Sequence, residues 1–594
     1  MICDFYNANP VSMQASLQLL DEVRQATGGR AWACLGEMSE IAAVREEVHR
    51  DVAREVHRLQ LEHVITIGEA TRYIVDERAV FARLEYRKAQ KCVSLHRGTR
   101  AGLPIYFRVE STGELYCSSH IALLRQAGVA IRENAHALPE FFVYNYVSPP
   151  RTMYDGIAQV PCGARVVIAV DGGSHEPRQE SLELPLPGDC AVATDAVCDE
   201  TFVLLENSFN VVKPVAPATA MLLSGGLDSS VLFRLAQRNL GIDDSYSTGF
   251  PFQSEYENLE KEYALSAAEA FGSRHVYYDV TNEDLQGAIV RSIAVAEEPL
   301  LFLQPAMFHL LFGAGLPVEK SVVVSGQGAD ALFGLSTHHH LAWSENRNPI
   351  LAALAKDPIL RLARAISRDT LDNRRRLERL SYINRRSRPF SDPHHVLWTF
   401  NSFGSENWVC RHFGAKLDDI VQGRYASVEE FKDRSIYDLV SMLAFFGEIS
   451  ARKNIWSKLA GAQKRTVFYA YDHETLVRYV FSLSWDVKLR DAKAVLQGVA
   501  RRLQVPDFIL DRPKSGFSVR PRQVAEIGGI LEPIVPLAWK VFDPRLLNSM
   551  RERREPKMAH TFWNAINYAV WKRTCVDNEP AAALIEEMNS LASM

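Results

Sequence analysis

The sequence of 594 residues has few of the features that mark secreted, membrane or nucleic-acid-binding proteins. Its nine cysteines include no CxxC pair, which argues against a disulfide framework or a zinc ribbon and favours reduced thiols. No apolar run approaches the roughly 18 to 20 residues of a membrane span. The start, MICDFYNANP, shows no basic region followed by an apolar run, so we expect no export signal.

The charge balance also gives no indication that the protein binds nucleic acid or membranes. A formal net charge of −5 gives no global attraction to either polyanion. With 47% hydrophobic residues, the chain is long enough for at least two cored domains. We therefore expect a cytoplasmic globular protein that binds neither nucleic acid nor membrane.

Glycine, proline and charge interrupt the apolar periodicity near residues 170–189, VDGGSHEPRQESLELPLPGD. Before this stretch, LPIYFRV, GELYCSS and ARVVIAV predict short strands in packed sheets. After it, TAMLLS and KSVVVSG predict buried strands, and LEKEYALSAAEAFG predicts a helix closed by glycine. The pattern predicts a β-rich domain at 1–190 and, at 191–594, an α/β domain with a doubly wound parallel sheet and added helices.

One strand-to-helix junction carries the strongest chemical signal, MLLSGGLDSSVLF at 221–233. Gly225 and Gly226 allow a sharp turn, and the helix that follows offers backbone N–H groups and serine hydroxyls to an anion. Asp228 beside phosphates requires a cation between them, normally Mg²⁺. The alternative is a plain glycine turn in which Asp228 only caps the helix.

The full string SGGLDSS resembles the PP-loop of the ATP pyrophosphatases, and further stretches resemble the asparagine-synthetase-like branch. These stretches are AEEP at 296–299, VVVSGQGADALFG, LSWDVKLRDAK and ILDRPKSGFSV, and, in the first half, LHRGTRAGLPIYFRVESTGELYCSSHIALL. The resemblance implies a degenerate glutamine-amidotransferase-like domain at 1–190, of the type with an N-terminal nucleophile, followed by an ATP-binding synthetase domain at 191–594.

The resemblance also implies roles for matched residues. Asp228 and Asp330 would hold Mg²⁺ against the ATP triphosphate, and Lys514 would stabilise the negative charge that develops during catalysis. The strand SYSTGF would lie where the family binds adenine. The residues expected to contact ATP are Ser224, Gly225, Gly226, Asp228, Ser229, Ser230, Gly249 and Gly326.

Three positions depart from the family pattern. Cys3 follows Met1 and Ile2, so removal of Met1 alone would not expose it as an amino-terminal nucleophile, and we expect that glutamine is not the nitrogen donor. An ungapped comparison at QKRTVFYAYD places Arg465 where the family has a glutamate linked with amine deprotonation. Ala331 stands where SGxGxDE has its second acidic residue.

Two further segments allow two interpretations each. The segment 354–390 is strongly basic and could line a groove for a peptide, or form a solvated helix face with ordinary ion pairs. The histidines in THHHL at 337–341 do not share one helical face, which disfavours a metal site.

These features predict an AMP-forming amide ligase that uses ATP and Mg²⁺. The missing glutamate and the basic segment favour a lasso-peptide cyclase, which joins a peptide's first amine to an Asp or Glu side chain. Such an enzyme would act on a precursor core peptide beside a leader peptidase and a precursor-recognition protein. The alternatives are a β-lactam synthetase-like cyclase, an ammonia-dependent asparagine synthetase and a noncatalytic nucleotide- or precursor-binding protein.

Overall fold

The structure is a computed structural model, and all structural statements concern the residues that it describes. These are residues 17–18, 21–22, 25, 32–36, 51–52, 55, 63–67, 82–87, 92–100, 102–169, 177–185, 194–250, 255–334, 357–366, 402–431, 434, 436–484, 487–488, 493–512, 529–552 and 556–592. Cys3, Lys514, the histidines of 337–341 and most of 354–390 lie outside them.

The chain divides into two compact units, and the division is not a single cut. The first unit comprises Met1–Ala130 and Gly156–Glu183, and the second comprises Ile131–Asp155 and Leu184–Met594. The segment 131–155 thus belongs to the second compact unit, and the domains 1–190 and 191–594 stay a prediction.

The first unit is rich in strands. They are β1 (Trp32–Gly36), β2 (His63–Ile67), β3 (Ala82–Arg87), β4 (Cys92–Arg97), β5 (Tyr106–Val109), β6 (Leu115–Ser118), β7 (Ala158–Gln159), β8 (Ala164–Ala169) and β9 (Arg178–Ser181), with helix α1 (Ile121–Gln126). Two antiparallel sheets have the orders β3-β4-β8-β9 and β6-β5-β7. The three predicted strands correspond to β5, β6 and β8 and are confirmed.

The two antiparallel sheets share one apolar core. Leu95 of β4 and Val166 of β8 are buried with Phe107 of β5, and Val160 and Ile168 complete the cluster. Alternation along β8 places every second side chain in this core. The pair β1–β2 is different, because its strands run parallel with Trp32 opposite His63, and a parallel pair needs a crossover connection.

The second unit is built on a five-stranded parallel sheet. Its strands are β10 (Thr219–Leu222), β11 (Asp244–Gly249), β12 (Arg274–Asp279), β13 (Val322–Ser325) and β14 (Thr466–Tyr469), in the order β12-β11-β10-β13-β14. The strand order changes direction between β10 and β13. In parallel sheets of this kind, ligands bind beyond the carboxyl ends of the strands at such a point.

Helices make up most of the second unit. In chain order they are α2 (Leu138–Tyr144), α3 (Asp195–Ser208), α4 (Leu227–Leu240), α5 (Glu255–Ala270), α6 (Asn282–Ala296), α7 (Gln304–Leu310), α8 (Ala329–Phe333), α9 (Asp357–Ile366), α10 (Glu406–Phe413), α11 (Leu417–Tyr425), α12 (Ile436–Met442), α13 (Ser450–Ala462), α14 (Glu474–Ser482), α15 (Ala494–Arg502), α16 (Asp507–Leu510), α17 (Pro544–Glu552), α18 (Pro556–Trp571) and α19 (Ala581–Ala592). Among the described residues, none of the helices is both long enough and apolar enough to cross a membrane.

The described elements beyond residue 335 are mostly helical, as predicted, but include β14, which the sequence did not predict. β14 pairs with β13 from Val322–Thr466 to Ser325–Tyr469 and forms an edge of the sheet. It has only four residues, and it directly follows helix α13 with the turn at Lys464, where φ is 57°. An apolar run of this length is too short to show whether its hydrophobic periodicity is that of a strand or of a helix.

Arg465 lies immediately before β14, at the amino edge of the sheet. Its guanidinium donates hydrogen bonds to the carbonyl oxygens of Leu316 at 2.9 Å and Pro317 at 3.0 Å, and also to those of Phe312 and Lys320. This edge is opposite to the carboxyl ends of the strands, so Arg465 holds the chain together there and lies away from the predicted nucleotide site. That Arg465 replaces the family's glutamate stays a prediction of the ungapped comparison.

Replacing Arg465 with Met should destabilise the second unit by about 3 kcal/mol, because several buried carbonyls lose their donor at once. Chemical denaturation would measure the change in free energy of unfolding. Arg501→Met is the matched control, since Arg501 is exposed on α15, and it should cost less than about 0.5 kcal/mol. Equal losses in the two variants would show that Arg465 is not a structural anchor.

Candidate functional site

The loop between β10 and α4 contains most of the predicted ATP-contacting residues. Gly225 has a φ of +68°, and a Cβ built on it would lie 2.2 Å from the backbone oxygen of Tyr263 in α5. Only glycine therefore fits where this loop turns against α5. Gly226 is the N-cap of α4 and provides no side-chain cap, which suits a helix start that offers backbone N–H groups to an anion.

The three serines of SGGLDSS have different environments. Ser224 is exposed, and its Oγ lies 3.1 Å from Ser229 Oγ, which also donates to the backbone oxygen of Gly226. Ser230 is fully buried within α4, and among the described residues its Oγ has no hydrogen-bond partner. Ser224 is therefore the serine best exposed for a phosphate, and Ser230 lies below the surface.

The loop after β13 packs directly on the start of α4. A Cβ built on Gly326 would lie 3.5 Å from Ser229 N and 3.7 Å from Asp228 Cβ, so the two loops are in van der Waals contact. β10 and β13 are neighbours in the sheet, and both loops leave their carboxyl ends. Gly249 ends β11 at the same edge, with Tyr277 of β12 beside it.

Asp228 and Asp330 converge on one cation, and that cation is a lysine. Lys493 Nζ lies 2.5 Å from Asp228 Oδ1 and 2.5 Å from Asp330 Oδ1. Asp228 thus bonds to Lys493 and does not cap α4, which removes the plain helix-cap alternative for its side chain. Burial alone would lower the pKa of Lys493, but the two carboxylates outweigh it and raise this pKa above its ordinary value.

Two carboxylates that share a point charge also fit Mg²⁺. This ion prefers carboxylate oxygens and usually completes its shell with waters and substrate phosphates. Within the described part of the chain, no group of three or more His, Cys, Asp or Glu side chains forms a closed metal site. An open pair of carboxylates beside a glycine turn and a helix start would suit a metal that arrives with a nucleotide.

Residues of the turn after β14 contact both loops. Tyr471 is buried and donates from its hydroxyl to the backbone oxygen of Asp228 at 2.9 Å. Burial, with the charges of Asp228 and Asp330, raises the pKa of Tyr471, so the phenol keeps its proton. Asp472 forms a buried ion pair with Lys453 and lies under Gly328, where a Cβ would approach Asp472 Oδ1 to 2.8 Å.

Arg512 joins the carboxy-terminal motif to the same place. Its guanidinium donates to the Ser224 backbone oxygen at 3.2 Å, stacks 3.9 Å from the ring centre of Tyr263 and pairs with Glu260. Arg512 begins RPKSGF, but Lys514 lies outside the described residues, so its role stays a prediction. Ala331 is buried in α8, and its carbonyl accepts from Ser441.

Sequence reasoning missed the roles of Lys493, Tyr471 and Arg512. Lys493 ends the stretch LSWDVKLRDAK, which carried part of the family resemblance, yet no feature of that stretch indicates that its last residue bridges two distant aspartates. Arg512 immediately precedes Pro513 and the predicted Lys514. The RPKSGF motif was therefore the sequence signal that could have indicated a role for Arg512 in the site. The long sequence separations are the reason that these contacts were not foreseen.

The mixed α/β fold, with its parallel sheet in the second unit, is consistent with the architecture of an asparagine synthase. The family model for asparagine synthase matches residues 216–535, more than half of the chain. The chain therefore belongs to the asparagine synthase family. A glutamine amidotransferase domain model matches residues 58–178, which include both antiparallel sheets through β8. A model for the glutamate ligase domain of Mur ligases matches residues 1–100, which contain the parallel pair β1–β2.

Two curated relatives match part of the chain. Asparagine synthetase (glutamine-hydrolyzing) 1 of Bacillus subtilis is 24% identical over 259 residues, which are 43% of this chain and 39% of the relative. A Mycobacterium tuberculosis protein, provisionally named as a glutamine-hydrolyzing asparagine synthetase, is 28% identical over 239 residues, 39% of this chain and 35% of its own. The chain thus spans well under half the length of the relatives it matches.

Replacing Gly225 with Ala should abolish nucleotide binding, because the new Cβ would collide with the backbone of α5 and displace the loop. Calorimetric titration with the unreactive α,β-methylene analogue of Mg-ATP would measure this. Gly241→Ala is the matched control, since Gly241 ends the same helix with a φ of +64° and has nothing within 4 Å of a Cβ. If the two variants bind the analogue equally well, the loop does not hold the nucleotide.

Lys493→Met should increase the affinity of the protein for Mg²⁺ without nucleotide, because two adjacent carboxylates lose their bridging cation. Melting temperature measured against Mg²⁺ concentration should rise more steeply in this variant than in the wild-type protein. Adding Asp330→Asn to Lys493→Met should remove the effect. An identical Mg²⁺ response in the wild-type and single-variant proteins would contradict the shared cation site.

Proposed function

We propose that the protein is an ATP-dependent, AMP-forming amide ligase that adenylates a carboxylate and transfers the acyl group to an amine. The observation that carries the proposal is the convergence of Asp228 and Asp330 on one cation beside the β10–α4 loop. Membership of the asparagine synthase family supports the same chemistry.

In this proposal the carboxylate oxygen of the substrate attacks the α-phosphorus of ATP and the bond to the β-phosphate oxygen breaks, which releases pyrophosphate. The amine nitrogen then attacks the acyl carbon, AMP leaves, and the nitrogen loses a proton. Each step produces negative charge on phosphate oxygens, so catalysis requires fixed positive groups and N–H donors at the phosphate positions.

The chain's own residues would divide this task. The N–H groups at the start of α4 and the hydroxyl of Ser224 would bind phosphate oxygens, with the glycines permitting close approach. Asp228 and Asp330 would hold Mg²⁺, which supplies charge neutralisation on the phosphates when it is bound. Lys493, which pairs with both aspartates, would add positive charge beside them, and Lys514 is predicted to stabilise charge on the acyl-adenylate.

For the finer substrate assignment we propose an intramolecular amide, the isopeptide macrolactam of a lasso peptide. The strongly basic sequence of 354–390 supports a peptide substrate with carboxylate groups. The missing glutamate, the other reason for expecting a lasso-peptide cyclase, no longer supports this assignment. Arg465 lies at the opposite edge of the sheet, so the residue at this position does not decide which base is available. The names of the relatives equally support asparagine formation from aspartate.

The decisive experiment is mass spectrometry of a leader-free candidate peptide after incubation with the protein and Mg-ATP, with AMP measured in the same tube. The expected result is loss of one water per peptide and an equal amount of AMP. AMP formation with aspartate and ammonium alone would assign an asparagine synthetase, and with a β-amino acid a β-lactam-type cyclase. No AMP with any carboxylate would indicate a noncatalytic binding protein.

Lys514→Ala should lower AMP formation by about 100-fold or more while nucleotide binding persists, since preorganised charge acts mainly on the transition state. The exposed Lys540→Ala serves as the control and should keep wild-type turnover. Unchanged AMP formation in Lys514→Ala would show that this lysine is not part of the mechanism.

A further inference from the structure

Arg452 lies beside the loop that carries Asp330, and the proposed mechanism gives it no role. It belongs to α13, and its Nη1 lies 3.4 Å from Oε1 of Gln327, in the middle of SGQGAD. Its Nη2 donates to Glu448 Oε1 at 2.8 Å, and its guanidinium lies 5.2 Å from the ring centre of Phe302. The side chain is 17% exposed, so this cation is held mostly out of water.

The contacts of Arg452 use only part of its donor set. An arginine has five N–H donors in a planar fork. Among the described residues, Arg452 Nε is buried without a hydrogen-bond partner, and the contact of Nη1 with Gln327 is at the long limit of a hydrogen bond. A buried donor that is left unpaired is costly, so such a group in a native protein calls for a reason.

Its counter-ion is also shared with a second arginine. Glu448 is buried, and its charge acts on Arg424 as well as on Arg452. Arg424 is fully buried between the rings of Tyr144 and Tyr146, and its Nε donates to the Tyr146 hydroxyl at 3.2 Å. One carboxylate therefore interacts with two guanidinium groups, and it orients Arg452 without neutralising it fully.

The position and the geometry of Arg452 fit a carboxylate ligand. A substrate carboxylate that approaches the α-phosphate of ATP is repelled by the phosphates unless a cation holds it. The guanidinium fork matches a carboxylate with two parallel hydrogen bonds, and Phe302 restricts its orientation. Gln327 is three residues before Asp330, in the turn that leads into α8, which links this cation to the predicted metal position.

We propose that Arg452, supported by Glu448 and Phe302, binds the substrate carboxylate that becomes adenylated. The inference rests on the proposed amide-ligase function and adds the residue that recognises the acyl substrate. The acyl substrate would then present a side-chain or terminal carboxylate of a peptide or amino acid. A neutral amide at the same position would bind poorly.

The test uses two probes that differ in one group, N-acetyl-L-aspartic acid α-amide and N-acetyl-L-asparagine α-amide. Each is titrated calorimetrically into the full chain preloaded with Mg²⁺ and α,β-methylene-ATP. The wild-type protein should bind the aspartic probe more tightly than the asparagine probe. Arg452→Gln should reduce this preference by about 10- to 100-fold, as expected for lost charge-assisted hydrogen bonds, and should leave nucleotide affinity unchanged.

Two further variants protect the result from a folding defect. Arg452→Lys keeps the charge but not the fork, and should retain a reduced preference for the aspartic probe. Arg411→Gln replaces an exposed arginine on α10 and should bind both probes as the wild-type protein does. Melting temperatures of all variants, recorded with and without nucleotide, identify any that fail to fold.

Three outcomes would overturn the inference. They are a wild-type protein that binds the two probes equally, an Arg452→Gln variant that keeps the full preference, and an Arg452→Gln variant that loses nucleotide binding, which would assign Arg452 to the phosphates. Failure of the proposed function gives a different pattern. In that case the carboxylate preference depends on Arg452, yet no carboxylate yields AMP.

Discussion

Two aspartates that face each other at the end of a parallel sheet cannot both stay ionised and close unless a cation lies between them. In this protein Lys493 fills that position, at 2.5 Å from an oxygen of each carboxylate. The rest of the site is organised around this charge. The glycine turn of 225–226 presents N–H donors beside it, and the loop of Gly326 brings the second aspartate to the first.

The sheet order explains why these residues meet. β10 and β13 are neighbours although about a hundred residues separate them, and the direction of strand order changes between them. A Cβ on Gly326 would lie at ordinary van der Waals distance from Asp228 and Ser229, so the two loops pass close to each other. The Tyr471 hydroxyl and the buried Lys453–Asp472 pair contact the same loops from the turn after β14 and from α13.

Membership of the asparagine synthase family supports the proposed activation of a carboxylate by ATP more strongly than it supports any one product. Activation of a carboxylate by ATP needs the same phosphate-binding groups whichever amine follows, so Asp228, Asp330 and the β10–α4 loop do not distinguish ammonia from a peptide amine. The distinction must reside where the acyl substrate and the amine bind. Arg452 contacts Gln327 of the SGQGAD stretch, and Glu448 and Phe302 in turn contact Arg452.

Much of the fold and part of the site could be predicted from local sequence. Strands β5, β6, β8, β10 and β13 have short apolar or alternating runs with clear ends, and SGGLDSS carries its own turn chemistry. Arg465 shows the limit of such reasoning, because a position in an ungapped comparison does not state which end of a strand it occupies. β14 shows another, since four apolar residues have no readable period.

The sequence by itself determined the glycine turn, the helix that follows it, and the presence of two aspartates in motifs that suit a metal-bound nucleotide, because these depend on neighbouring residues. Only the tertiary structure decided that Lys493 bridges those aspartates, that Arg512 closes on Ser224, and that Arg452 meets Gln327. These contacts join residues more than a hundred positions apart. They arise from strand order and helix packing, which no local pattern encodes.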